Sequence, residues 1–272
     1  SGDDINKMRA NANKVLGRFL YQSMKKYDLY LCDIQAGGLH NAIPREAAAV
    51  CAIPMKDKES IRVDWNIFAA DVEEEYSVTE KNMEFLLESM ETPAEAVDRG
   101  VATRLITAIQ AVHNGILSMC QDIDLVETSS NLASIRMNAE EKKIVVITSQ
   151  RSSILSARKN MSATIKATFE LAGAEVTVGD GYPGWKMNPD SEILKLSVET
   201  YKRLFGKEPK VLGIHAGLEC GLFSEKYPHL DMVSFGPTLR GVHSPDERLL
   251  IPTVEKVWDH LLEILKNIPA RA

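Results

Sequence analysis

Residues 232–248 read MVSFGPTLRGVHSPDER. The apolar residues Met232, Val233 and Phe235 predict a short buried strand. Gly236-Pro237 ends it, because proline has no N–H to give to a ladder. A polar loop follows and carries His243 between Gly241 and a Ser244-Pro245-Asp246-Glu247 turn. An imidazole just beyond a strand end lies where open α/β sheets place their ligands. A second segment of the same kind, His215-Ala216-Gly217-Leu218-Glu219-Cys220-Gly221, closes the apolar run 211–214. A loop histidine also serves as an ordinary surface residue, so the two motifs together carry more than either alone.

Working outward, 272 residues can bury one large core or two modest ones. Apolar residues make up 44% and charged residues 26%, the balance of an ordinary soluble protein. The net charge of −6 comes without a Lys/Arg stripe, which argues against nucleic acid as a partner. No apolar run approaches the ~20 residues of a membrane span, and no signal peptide is legible. Cys32, Cys51, Cys120 and Cys220 are scattered without a C-x-x-C pair, which predicts reduced thiols and a cytoplasmic setting.

Apolar spacing predicts a first helix over 4–25, capped by Asp3 or Asp4 and ending at Lys25-Lys26. Strands over 29–34 and 46–53, joined through Gly37-Gly38, predict a hairpin. A helix over 56–78 follows, its acidic group Asp71, Glu73, Glu74 and Glu75 forming a solvated face. A strand is expected over 82–90, and a helix from Pro93 to Asn114-Gly115 with His113 in its last turn. Paired strands over 132–137 and 143–149 feed a helix that starts after Arg151-Ser152-Ser153 and stops at Gly173, with a last short strand over 175–178. The Gly/Pro-rich stretch 180–185 divides the chain into 1–182 and 183–272. The second part is expected to hold a helix over 190–205, strands over 210–215 and 232–235, and a helix from Pro252 that buries Val254, Val257, Trp258, Leu261, Leu262 and Leu265.

HAGLECG followed by SFGPTLRGVHSPDERL resembles the C-terminal part of the aminoacyl-histidine (Xaa-His) dipeptidases, within the large family of dinuclear-metal aminopeptidases, carboxypeptidases and aminoacylases. Leu39-His40-Asn41-Ala42-Ile43-Pro44 and the motif ending in Arg151-Ser152 extend the resemblance over essentially the whole chain. It implies an α/β fold: a lid and dimerisation α/β sandwich with an antiparallel sheet, then the C-terminal part of a mixed-sheet catalytic domain. It also implies a homodimer through the lid and hydrolysis of dipeptides ending in His, assisted by two divalent ions, zinc first, with cobalt or manganese as alternatives.

The resemblance assigns His243 as a metal ligand, and Asn41 and Arg151 to the substrate; Gly217 is read as placing a backbone amide against the substrate. An amide presents a donor and an acceptor together, and a guanidinium fork matches a terminal carboxylate. From the residues alone, Asn41 also suits a turn before Pro44, and Arg151 a salt bridge at a helix start; Arg158 reads as structural. His215 and Glu219 are four residues apart, the spacing of a metal pair if helical, but hydrogen bonding that shapes the site fits the family's pattern better. Gly217 and Gly221 permit close backbone approach to a ligand. The family's remaining ligands, its general base and the His of its G-G-H-S-G motif precede the residues matched here. Since Ser1-Gly2-Asp3-Asp4-Ile5 matches that motif just after the His, the chain is expected to be the C-terminal piece of a longer enzyme and inactive by itself. A lid-like assembly module without catalysis, and a related metallopeptidase or aminoacylase of other specificity, are the competing classes.

Overall fold

The first long helix begins where a side chain can cap it. Asn11 is extended (φ −98°, ψ 109°), and its Oδ1 accepts from Lys14 N at 3.1 Å. Helix α1 therefore runs Ala12–Lys26, and the expected start at residue 4 is instead a separate 3₁₀ turn, Gly2–Lys7. Met8, at φ 53°, breaks the two apart. The computed structural model describes residues 2–181, 183–185, 188, 190–213, 219–242 and 246–269. These form two compact units, Ser1–Gly181 and Tyr182–Ala272.

In the first unit, β1 (Tyr30–Gly37) and β2 (Ala47–Ala52) form the expected antiparallel hairpin, with a bulge beside Cys32. Helix α2 (Lys58–Glu75) follows. The expected strand at 82–90 is absent: those residues carry no ladder, and Leu86 and Met90 lie exposed. Helix α3 (Arg99–Ala111) starts later than Pro93, at the Asp98 cap, whose Oδ1 accepts from Val101 N. Strand β3 (Gly115–Met119) was not expected, because an Asn-Gly pair after a helix reads as a stop rather than a strand start. Strands β4 (Val126–Asn138) and β5 (Lys143–Ser152) pair along their length. Helix α4 (Leu155–Leu171) closes the unit, with Gly173 at φ 81° just past its end. No strand forms at 175–178.

The sheet is antiparallel throughout, and β4 is its axis. β5 covers one edge of β4. The other edge is shared end to end: β3 pairs with 126–130 and β1 with 134–136. Helices α1, α3 and α4 bury Leu20, Ile106, Ile109, Met161, Ile165 and Phe169 with Leu31, Ile34, Leu132 and Ile135 of the sheet. Each such side chain is worth about 1.5–3 kcal/mol, which outweighs helix propensity in holding the elements together. The opposite side of α1 meets α2 through an aromatic cluster of Phe19, Trp65, Phe68 and Phe85.

In the second unit, α5 (Glu192–Phe205) and α7 (Pro252–Asn267) pack together around His260, whose Nε2 lies 2.9 Å from Ser197 O. Short α6 (Glu219–Lys226) and the two-residue strands β6 (Leu239–Arg240) and β7 (Arg248–Leu249) complete it. Two expectations are corrected here. No ladder forms among the described residues of 210–215 or 232–235; Leu212 is 75% and Phe235 39% exposed. Apolar runs become strands only where a neighbour takes their N–H and C=O groups. Helix α7 buries His260 and Ile264, leaving Val254, Trp258, Leu261 and Leu265 as an exposed stripe. Among the described residues no helix is long and apolar enough to cross a membrane.

Gly37 ends β1 at φ 69°, and a Cβ there would lie 2.1 Å from Ala133 O and 2.9 Å from Asn13 Nδ2. Gly37→Ala is expected to lower stability by roughly 3 kcal/mol, left-handed strain and backbone overlap acting together. Guanidinium unfolding, read as a fall in the midpoint at constant slope, checks this.

Candidate functional site

The loop between β1 and β2 carries Asn41, and four hydrogen bonds fix its course. At its base Gly37 N donates to Glu46 O at 2.9 Å. Ala42 N donates back to Leu39 O at 3.2 Å, making a tight turn. Ala12 N, in the first turn of α1, donates to Pro44 O at 3.1 Å. Asn131 Nδ2, from β4, donates to Ala42 O at 2.7 Å. Ala42 and Pro44, both just after Asn41, are thus tied to two different elements, β4 and α1. Asn41 is half-buried, and its amide is bonded to none of the described residues.

Arg151 sits at the end of β5, directly opposite Ser129 of β4. Opposed residues share a sheet face, as do residues two apart on one strand. Arg151, Ser129 and Asn131 therefore lie on one face of the sheet. The chain turns from β5 into α4 through the buried Ser152. Its Oγ lies 2.9 Å from Thr128 Oγ1 and accepts from Ile154 N at 3.0 Å. That hydroxyl pair sets where the strand stops, and so where Arg151 stands. Asn131, which sequence reasoning missed, ties the Asn41 loop to the sheet face that carries Arg151.

Asn131 belongs to a group of asparagines around Leu132. Asn11 Nδ2 donates to Asn114 Oδ1, Asn131 Oδ1 and Leu132 O, at 3.0–3.1 Å. Asn13 Nδ2 also donates to Leu132 O. Leu132 N donates to Asn114 Oδ1 at 2.9 Å. The partners are separated by 103 to 121 residues for Asn11, so periodicity and spacing give no sign of them.

His215, Gly217 and His243 lie outside the described residues. Glu219 opens α6 and is exposed. Gly221 is corrected: a Cβ there would lie 2.3 Å from Pro183 O, so its missing side chain makes room for the chain's own backbone rather than for a ligand. His113 follows α3 instead of ending it. Among the described residues, no group of three or more His, Cys, Asp and Glu is placed to hold a metal ion. The described residues therefore do not supply a donor set for a dinuclear centre.

The four cysteines are free thiols. Burial pushes the Cys51 thiol up to about 12, with neighbouring Cys32 adding to the rise. Burial likewise raises Cys32 and Cys220. A thiol held neutral is a poor nucleophile and metal ligand.

The model of peptidase family M20/M25/M40 matches residues 28–267. The chain belongs to this family. Among M20/M25/M40 relatives, a cytosol non-specific dipeptidase of Escherichia coli (strain K12) is 38% identical over 273 residues, covering 100% of this chain and 56% of that protein. The crystal structure of aminoacylhistidine dipeptidase from Vibrio alginolyticus superposes with a TM-score of 0.87 at 38% identity, covering 99% of this chain and 55% of that one. The chain spans about half the length of these relatives. The mixed α/β fold with an antiparallel sheet is thus that of an M20 dipeptidase structure.

Iodoacetamide at pH 8 is expected to leave Cys51 unmodified in the folded chain and to label it after denaturation. Because the folded thiol ionises only near 12, its labelling rate should climb only as pH passes well beyond 10. Peptide mass spectrometry reads both.

Proposed function

We propose that this chain forms part of a metal-dependent dipeptidase that prefers Xaa-His dipeptides. The observation that carries the reading is the Asn41 loop, tied to β4 and α1 just after Asn41 and with the Asn41 amide bonded to none of the described residues, on a sheet that also carries Arg151. Arg151 captures the terminal carboxylate by a bidentate pair, and Asn41 orients the peptide with a donor and an acceptor that do not change charge. His243 is a ligand to one of two divalent ions, zinc first, with cobalt or manganese as alternatives, and Gly217 offers its backbone to the substrate. The ions supply Lewis-acid polarisation and an activated water when bound.

In this reading residues 1–182 are a lid and dimerisation domain, and 183–272 the C-terminal portion of the catalytic domain. Two features support those roles. The outer edge of β5 has no strand partner among the described residues, and Val145 and Ile147 on it are 41% and 42% exposed. Such an edge is a ready pairing surface for a second copy. The apolar stripe Val254, Trp258, Leu261 and Leu265 on α7 suits further catalytic-domain structure. A cytoplasmic setting accords with the name of the E. coli relative. The Xaa-His preference accords with the name of the Vibrio protein, while the other name, non-specific, sets the alternative to test.

The test compares β-alanyl-histidine, Ala-His and Ala-Leu as substrates for the product of the complete reading frame, and for these 272 residues alone. Expected are a preference of about tenfold or more in kcat/KM for the His dipeptides, loss of activity with a chelator, and recovery with zinc. No hydrolysis is expected from the 272 residues alone. Arg151→Met should raise KM by about 10–100-fold. Equal rates on Ala-Leu would remove the His preference, and metal-dependent turnover by the 272 residues would remove the claim that they are inactive alone.

A further inference from the structure

The asparagines around Leu132 do unequal work, and the difference isolates one of them. Asn114 and Asn13 bond only to groups within the network or to the Leu132 backbone. Asn11 adds the cap of α1. Asn131 alone reaches out of the network to the loop: its Oδ1 accepts from Asn11, and its Nδ2 donates to Ala42 O. That bond, 2.7 Å long, is the one side-chain bond to the backbone of 39–44 among the described residues. The other tie to this stretch from outside the hairpin, Ala12 N to Pro44 O, lies beyond Ile43. Freed from Asn131, the turn that holds Asn41 would keep its internal Ala42–Leu39 bond, the base of the hairpin and the Ala12–Pro44 tie beyond it, but no bond from β4.

We propose that Asn131 is a positioning residue for the dipeptide site, holding the Asn41 turn against the sheet face that carries Arg151. The inference rests on the substrate roles proposed above for Asn41 and Arg151. Asn131 touches no substrate in this scheme; it fixes the separation between an amide on a loop and a guanidinium on a strand. Positional errors of about an ångström in such groups are costly, because a substrate must meet both at once. Asn131 is 8% exposed and its bond to the half-buried Ala42 is partly withdrawn from water.

The geometry also supplies a clean substitution. Asn131→Ala leaves Asn11 Nδ2 its bonds to Asn114 Oδ1 and Leu132 O, so the network keeps its donors satisfied and Ala42 O alone loses its partner. Asn114→Ala does the reverse: it strips Leu132 N and leaves the loop bond in place.

The experiment uses the product of the complete reading frame with β-alanyl-histidine, measuring kcat and KM, thermal stability and amide hydrogen exchange over 39–44. Asn131→Ala is expected to raise KM and the exchange of the turn about tenfold each, roughly the loss of one hydrogen bond. Asn114→Ala is expected to lower the melting temperature while leaving both readings near wild type. Unchanged exchange in Asn131→Ala, or the same KM rise in both variants, overturns the positioning role and leaves the reading of Asn41 standing. A wild-type KM retained in Asn41→Ala overturns the reading of Asn41 itself, and the role of Asn131 falls with it.

Discussion

The backbone N–H and C=O of Leu132 have no strand beside them on one edge, and much of the first unit is arranged to meet that need. β3 pairs with β4 as far as Ser130 and β1 begins pairing at Ser134, so the edge between them is open. Leu132 is fully buried, and an unpaired N–H or C=O there would cost about 1–3 kcal/mol each. Asparagine side chains take the place of the missing strand. Asn114 accepts from Leu132 N, while Asn11 and Asn13 donate to Leu132 O. The same groups belong to the cap of α1 and to the residue before β3, so the backbone of one buried residue registers a helix start and a strand start together.

This arrangement explains why the hairpin loop is ordered. A nine-residue connection between β1 and β2 has few partners of its own, and its course comes from bonds to α1 and β4. Gly37 belongs to the same construction. Its left-handed turn and bare Cα let β1 end hard against Ala133 O, where any side chain would push the strand away. The support of this loop is polar and buried rather than apolar, the kind of rigid base that a binding group on a loop would need.

Most helices were legible from the sequence because their apolar stripes face a real core, as with Met161, Ile165 and Phe169 of α4. Starts were less legible. Asn11 and Asp98 cap their helices, although Asp3, Asp4 and Pro93 carry equally good local signals. The strands expected at 82–90, 175–178 and 232–235, and at 210–215 among the described residues, failed for one reason: apolar composition does not supply a neighbouring ladder, and pairing is decided by distant residues. Short motifs pointed to Asn41 and Arg151 as candidates, whereas nothing in the sequence pointed to Asn131. Its significance depends on Ala42, 89 residues away, and on Asn11, 120 residues away.

That long reach has a consequence for how the chain acquires its shape as it is made. The amide of Asn11 leaves the ribosome 121 residues ahead of the carbonyl it must meet at Leu132. At about 5–20 residues per second, this interval is roughly 6–24 s. During it α1 and the β1–β2 hairpin exist without the strand that seals them, and the open edge of β1 is exposed to other nascent chains. Chaperone capture of the chain should therefore peak before β4 emerges and decline once it has docked.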